Sequence, residues 1–167
     1  MEFYGLLRFS EVSNLTFSDI IWTDLGFDIF IKKSKTDQTQ KGDWVSVASQ
    51  PDSPWCPVVL TRRYLSLYKT DTGFLMPPTK NKIPDTTRSL SYNTALSDLR
   101  SALSAIGIDP TGKHSGRCGG TTAAAAKGAS LDELMLQGRW RSESMPRLYT
   151  DNVIKSKRKF ACRLASF

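Results

Sequence analysis

The chain contains a single histidine, and an arginine follows it after two intervening residues. His114 and Arg117 stand where an alanine-rich stretch begins, which predicts a helix. Their spacing places both side chains on one face near the helix N-terminus, where unpaired N–H groups and the helix dipole favour an anion. The pair could therefore hold a phosphate. Alone the motif is weak, because a histidine beside an arginine is more often a surface or capping pair.

Two aromatic residues follow this pair at distances that carry information. Trp140 lies 23 residues after Arg117, and Tyr149 lies nine residues after Trp140. This arrangement resembles the C-terminal signature of the tyrosine recombinase and phage integrase family. That signature consists of an H-x-x-R pair, a spacer for two short helices, a Gly-containing turn, and a tyrosine at this distance from a His or Trp. Matching residue types at matching spacing are far more specific than either motif alone.

The N-terminal half extends the resemblance. The segment from Gly5 to Ile20 is similar to the family pattern G-x-R-x-S-E-x-x-x-L-x-x-x-D-I, with one extra residue before Arg8 and the same register after it. The family's lysine lies in a β-hairpin after that helix, often followed by threonine, and Lys35 with Thr36 fits this position. The resemblance implies an active set of six residues, namely Arg8, Lys35, His114, Arg117, Trp140 and Tyr149.

Attack of a tyrosine on a DNA phosphodiester explains why these residue types belong together. Charge builds on the non-bridging oxygens, which two guanidiniums can bind in bidentate fashion. A phenol with a pKa of about 10 is a poor nucleophile, so Tyr149 needs cationic neighbours or a base, and His114 could take its proton. The leaving 5′ oxygen needs a proton, for which Lys35 is the preferred candidate and Lys33 and Lys41 on the same hairpin are rivals.

Two further side chains each admit two interpretations. Glu11 is either a carboxylate that orients an active-site arginine or a charge on the surface of a helix. Trp140 either donates its indole N–H to a phosphate oxygen or packs as a core aromatic residue.

The resemblance implies DNA strand cleavage and rejoining through a covalent 3′-phosphotyrosyl intermediate, without metal or cofactor, as in site-specific recombination or integration. It also implies a homotetramer on double-stranded DNA. Trp140, with the run from Ser34 to Asp37, is more similar to DIRS-like or Crypton-like mobile elements than to bacterial integrases. The alternatives are DNA relaxation of the type IB topoisomerase kind and a domesticated DNA-binding module without catalysis.

The charge distribution suits a polyanionic partner. Net charge is +7, and residues 139–167 hold 8 basic against 2 acidic side chains, whereas residues 1–54 hold 5 against 8. Such an excess favours binding to phosphates, although a solvated basic tail would give the same numbers. Three cysteines without disulfide or zinc spacing predict a reducing intracellular compartment. For a DNA enzyme this is the nucleus of a eukaryote, or the cytoplasm and nucleoid of a bacterial or phage host.

Hydrophobic periodicity predicts an α+β fold, mostly helical, with a small three-stranded antiparallel sheet between residues 19 and 49. Helices are expected at 2–13, 58–69, 91–106, 115–127, 130–137 and 151–163. A chain of 167 residues is expected to form a single catalytic domain over 1–167. The family's N-terminal DNA-clamping domain and first catalytic-domain helix are absent from it, so we expect an excised or truncated piece.

Overall fold

The computed structural model describes residues 1–34, 41–81, 83–108 and 116–149. These residues divide into two compact units. The sheet unit lies within residues 8–113, and the helical unit combines residues 1–7 with the described residues after 113. No helix among the described residues is long and apolar enough to cross a membrane.

The sheet unit is built on three antiparallel strands in the order β1-β2-β3. They are β1 (Ile20–Thr23), β2 (Gly26–Ile31) and β3 (Asp43–Ala48). Alternate residues of β2 and β3 point into the core, and Ile29 pairs with Val45 with at most 1% of either residue exposed. Period-two alternation of apolar residues produces such a half-buried sheet, so the three-stranded prediction is confirmed.

Gly26 permits the close approach of β2 to β3. Its φ is +158°, and a Cβ there would lie 2.0 Å from the carbonyl oxygen of Val47. Only glycine fits at this position, which begins β2 immediately after the first turn.

The sheet unit also contains two longer helices and a short hairpin. They are α2 (Pro57–Leu65), the hairpin of β4 (Thr79–Lys80) with β5 (Ile83–Pro84), and α3 (Tyr92–Ala105). Proline at the first helical position is favourable because its missing N–H would have no partner there. The hairpin was not predicted, because the sequence there was interpreted as a proline-rich connector.

The helical unit contains α4 (Gly116–Ala126), α5 (Leu131–Gly138) and α6, a helix over residues 144–149. The Ser130 hydroxyl accepts the N–H of Glu133, and the Glu133 carboxylate accepts the N–H of Ser130. This reciprocal pair fixes the start of α5, as the sequence predicted. The predicted helix at 151–163 lies outside the described residues.

The predicted helix over residues 2–13 is wrong in its first half. The helix α1 covers only Phe9–Val12, and Arg8 precedes it in an extended conformation with φ −78° and ψ 152°. Leu6 has a left-handed φ of +47°, which is costly for a residue with a Cβ. The apolar spacing that suggested a helix arises because Leu6 and Leu7 are buried without being helical.

Candidate functional site

In the sheet unit, Arg8 is held by a closed ring of three side chains. Its Nη1 donates to Glu11 Oε1 at 2.8 Å and to Ser34 Oγ at 3.1 Å. The Ser34 hydroxyl in turn donates to the same Glu11 oxygen at 2.9 Å. The guanidinium is therefore fixed by two elements, α1 and the segment that follows β2.

The same carboxylate also fixes the backbone at Arg8. Its second oxygen, Glu11 Oε2, accepts the backbone N–H of Arg8 at 2.7 Å, which makes Glu11 the capping residue of α1. The side chain of Glu11 is 1% exposed and that of Arg8 is 25% exposed. Glu11 is thus a buried carboxylate that orients an arginine, and its interpretation as a surface charge is wrong. A quarter of the Arg8 side chain still reaches solvent.

In the helical unit, Arg117 is buried on α4 against the end of α5. Its Nη2 donates to the carbonyl oxygen of Gly138, and its Cζ lies 4.3 Å from the centre of the Trp140 ring. Arg117 as a whole residue is 7% exposed. A guanidinium at this distance from an indole face gains a cation–π attraction, which orients both groups.

The turn after α5 places Trp140 against Gly138. A Cβ on Gly138 would lie 2.0 Å from Trp140 Cζ3, so only glycine leaves room for the indole ring. Arg139 between them is left-handed, with φ 54° and ψ 42°, and caps the helix. The turn therefore supplies both the carbonyl that binds Arg117 and the space for the ring that covers it.

Tyr149 lies at the end of the described part of α6, next to Trp140. The ring centroids are 6.4 Å apart with 46° between the planes, and the tyrosine is half-buried. Burial raises the pKa of the Tyr149 phenol above its ordinary value, the electrostatic interaction with Cys118 adds to the rise, and the positive charge of Arg117 opposes it. The phenol is therefore protonated at neutral pH. Among the described residues, Arg117 supplies a positive charge that favours its ionised form.

The predicted residues are thus divided between the two units. The helical unit brings together Arg117, Trp140 and Tyr149, and the sheet unit holds Arg8. Lys35 and His114 lie outside the described residues. The rival lysines, Lys33 and Lys41, are both exposed, which leaves the identity of the general acid a prediction.

Sequence reasoning gave no role to Ser34 or to the Gly138 carbonyl. Ser34 stands directly before Lys35 in the sequence, which was the available signal. A backbone carbonyl carries no sequence signal beyond the glycine that exposes it. Within the described part of the chain, no three His, Cys, Asp or Glu side chains form a group that could bind a metal ion.

Comparison with known proteins finds similarity along nearly the whole chain. An integrase/recombinase XerD homolog from Selenomonas ruminantium is 30% identical over 166 residues, which cover 93% of this chain and 47% of that protein. The chain therefore spans about half the length of this curated relative. The sequence matches no protein-family model.

Two crystal structures show the same fold. The XerA recombinase superposes with a TM-score of 0.66 at 20% identity, covering 95% of this chain and 53% of the other. XerH site-specific recombinase, bound to palindromic difH substrate in a post-cleavage complex, gives a TM-score of 0.67 at 18% identity, covering 95% of this chain and 42% of the other. The α+β prediction, with its small antiparallel sheet, is confirmed by these structures.

Proposed function

Because the chain belongs to the tyrosine recombinase family, we propose that it breaks and rejoins DNA strands through a covalent link between Tyr149 and a 3′ phosphate. The observation that carries the proposal is the packing of Arg117, Trp140 and Tyr149 in the helical unit. The resemblance to the family predicted these three residues from the sequence, and an accidental match would have no reason to bring them close together.

The reaction exchanges one phosphate ester bond for another. The Tyr149 oxygen attacks the phosphorus, the bond between phosphorus and tyrosine oxygen forms, and the bond to the 5′ oxygen breaks. The phenolic proton passes to His114, and Lys35 protonates the leaving oxygen. Rejoining reverses these steps with a 5′ hydroxyl of the same or another strand as the nucleophile. Since one phosphate ester replaces another, the step requires no external energy source.

The two arginines and Trp140 stabilise the phosphate during the attack. Arg8 and Arg117 are fixed by partners within their own units, so their donors are oriented before the substrate binds. Donors that need no reorganisation stabilise developing charge most effectively. We assign the Trp140 indole N–H as a further donor to a non-bridging oxygen.

The substrate is double-stranded DNA. The 8 basic against 2 acidic side chains of residues 139–167 support this assignment, because neutralised phosphates release counterions. XerH was solved on a palindromic site, and a two-fold symmetric site receives two copies of a protein. Exchange between two such sites would use a tetramer, which we propose for this protein on DNA. It acts where the DNA is, in a nucleus or a nucleoid.

The proposal is tested by trapping the covalent intermediate. In a nicked duplex, cleavage releases the short fragment that carries the freed 5′ hydroxyl; rejoining is then prevented, so the protein should remain attached to DNA after denaturation. Tyr149→Phe should abolish the adduct, whereas Tyr92→Phe, at a tyrosine that is 60% exposed, should retain it. Unchanged adduct from Tyr149→Phe would refute the nucleophile assignment. DNA binding without adduct by the wild type would instead indicate a binding module.

The general acid is identified by changing the leaving group. A 5′-bridging sulfur leaves without a proton, so replacing the acid slows cleavage of the oxygen substrate and spares the sulfur substrate. We expect this pattern for Lys35→Ala and not for Lys33→Ala or Lys41→Ala. Equal losses on both substrates for Lys35→Ala would exclude it as the acid.

A further inference from the structure

We propose that Ser34 is a positioning residue for the reaction, which fixes the edge that the Arg8 guanidinium presents to the phosphate. This inference rests on the proposed function and adds a residue to it. Ser34 touches neither substrate nor nucleophile in this role, and it acts through Arg8.

The hydrogen bonds of the ring determine the orientation of the guanidinium. Nη1 carries two N–H groups, and it makes one hydrogen bond to Glu11 and one to Ser34. The side-chain bonds that Arg8 makes within the described residues all use Nη1. They leave the edge formed by Nε and Nη2, which is the fork that binds two oxygens of a phosphate. Both bonds are needed, because with one partner alone the planar guanidinium can still turn about the side-chain torsions of Arg8.

The two partners of Arg8 come from different parts of the sheet unit. Glu11 is three residues away on α1, so by itself it fixes the arginine only to its own helix. Ser34 is 26 residues away and follows β2, so its hydroxyl ties the same nitrogen to the sheet. The orientation of Arg8 relative to the sheet therefore depends on Ser34.

The ring requires a hydroxyl at position 34. The oxygen must accept from the cationic guanidinium and, with its single proton, donate to the Glu11 carboxylate. Serine and threonine can do both. Alanine can do neither, and it would leave one N–H of Nη1 and one lone pair of a carboxylate that is 1% exposed without this partner.

The test compares Ser34→Ala with Ser34→Thr, using Ser46→Ala as the control. Ser46, on β3, also donates its hydroxyl to a carboxylate of the sheet, Asp28 Oδ1 at 2.6 Å. Each variant is assayed by the rate of adduct formation in a single turnover, with both the oxygen and the sulfur leaving group. Urea unfolding of each variant checks that the fold is retained.

We expect Ser34→Ala to slow adduct formation about tenfold or more, the effect of removing a hydrogen bond to a charged group. The loss should be equal for the two leaving groups, because Arg8 acts on the phosphate and not on the leaving oxygen. Ser34→Thr should restore most of the rate, and Ser46→Ala should match the wild type.

Two results would overturn the inference. A wild-type rate for Ser34→Ala would show that the hydroxyl is dispensable. A loss confined to the oxygen substrate would show that Ser34 acts through proton delivery and not through Arg8. Absence of adduct from the wild-type chain is a different failure, since it removes the proposed function before any variant is compared.

Discussion

Replacing Glu11 with glutamine tests how strongly the sheet unit depends on the carboxylate that holds Arg8. Glu11 accepts from the Arg8 backbone N–H at 2.7 Å, from Arg8 Nη1 at 2.8 Å and from Ser34 Oγ at 2.9 Å. Glutamine has nearly the same shape but only one acceptor oxygen, and its amide group is a donor. At least one of the three donors must then face an N–H group.

The structure gives the size of the expected loss. A hydrogen bond to a charged group contributes about 1.5–3 kcal/mol to stability when it is buried. Glu11 is 1% exposed, but the Arg8 side chain is 25% exposed and water can partly replace its lost partner. We therefore expect Glu11→Gln to lower the free energy of unfolding by about 2 kcal/mol, toward the lower end of that range.

Urea unfolding followed by tryptophan fluorescence measures this loss, because three of the four tryptophans lie in the sheet unit. Asp85→Asn is the matched control. Asp85 also pairs with an arginine three residues away in the same unit, but the two side chains are 31% and 67% exposed. Asp85 also accepts from Thr87, but both Thr87 and Arg88 are exposed and water can replace the lost bonds, so its midpoint should fall by less than that of Glu11→Gln. Equal shifts for the two variants would refute the assignment of Glu11 as a buried structural acceptor.

Three further predictions concern the helical unit. Gly120→Ala should destabilise the protein, because the new Cβ would lie 2.0 Å from the carbonyl oxygen of Phe3. Gly119→Ala, whose Cβ would have contacts of 3.7 Å, should be tolerated or stabilising in a helix. Thermal unfolding of the two variants and the wild type measures the difference, and equal losses would contradict it. Trp140→Phe should retain more adduct formation than Trp140→Ala, since an aromatic ring would remain beside the Arg117 guanidinium, whose Cζ lies 4.3 Å from the Trp140 ring. Equal rates of adduct formation for the two variants would show that the aromatic ring does not contribute. The midpoint of Tyr149 ionisation should lie at higher pH than that of an ordinary tyrosine, because burial raises its pKa. The difference in phenolate absorbance between wild type and Tyr149→Phe during alkaline titration measures this midpoint, and a midpoint at or below the ordinary one would contradict the assigned burial.

The parts of the fold that the sequence predicted are those determined by local rules. Alternation of apolar residues in β2 and β3 requires no knowledge of the rest of the chain, since each strand buries one face. The start of α5 was equally readable, because Ser130 and Glu133 satisfy each other's backbone groups within one turn. The proximity of Arg117, Trp140 and Tyr149 could also be predicted from their spacing in the sequence, since short helices and a turn link these residues.

The start of α1 could not be predicted from periodicity, because a long-range contact competes with it. Apolar residues at helical spacing suggested a helix that contained Arg8. The Glu11 carboxylate instead accepts the Arg8 backbone N–H, so the helix begins at Phe9, one residue after Arg8. Its other oxygen binds Ser34, 23 residues away, and no local pattern announces that partner. The hydrogen bond between Ser34 and Glu11 therefore cannot be predicted from patterns within a short stretch of sequence.

The protonation of the Tyr149 phenol bears on what its neighbouring residues must do. Burial raises the pKa of its phenol, which by itself opposes nucleophilic attack. Arg117 lowers that pKa but does not offset the burial, so the phenol keeps its proton at neutral pH. A phosphate entering the site would add negative charge and favour the protonated form further. Attack at neutral pH therefore requires that the proton move to a base as the bond to phosphorus forms. His114 is proposed for this role from its place in the sequence motif.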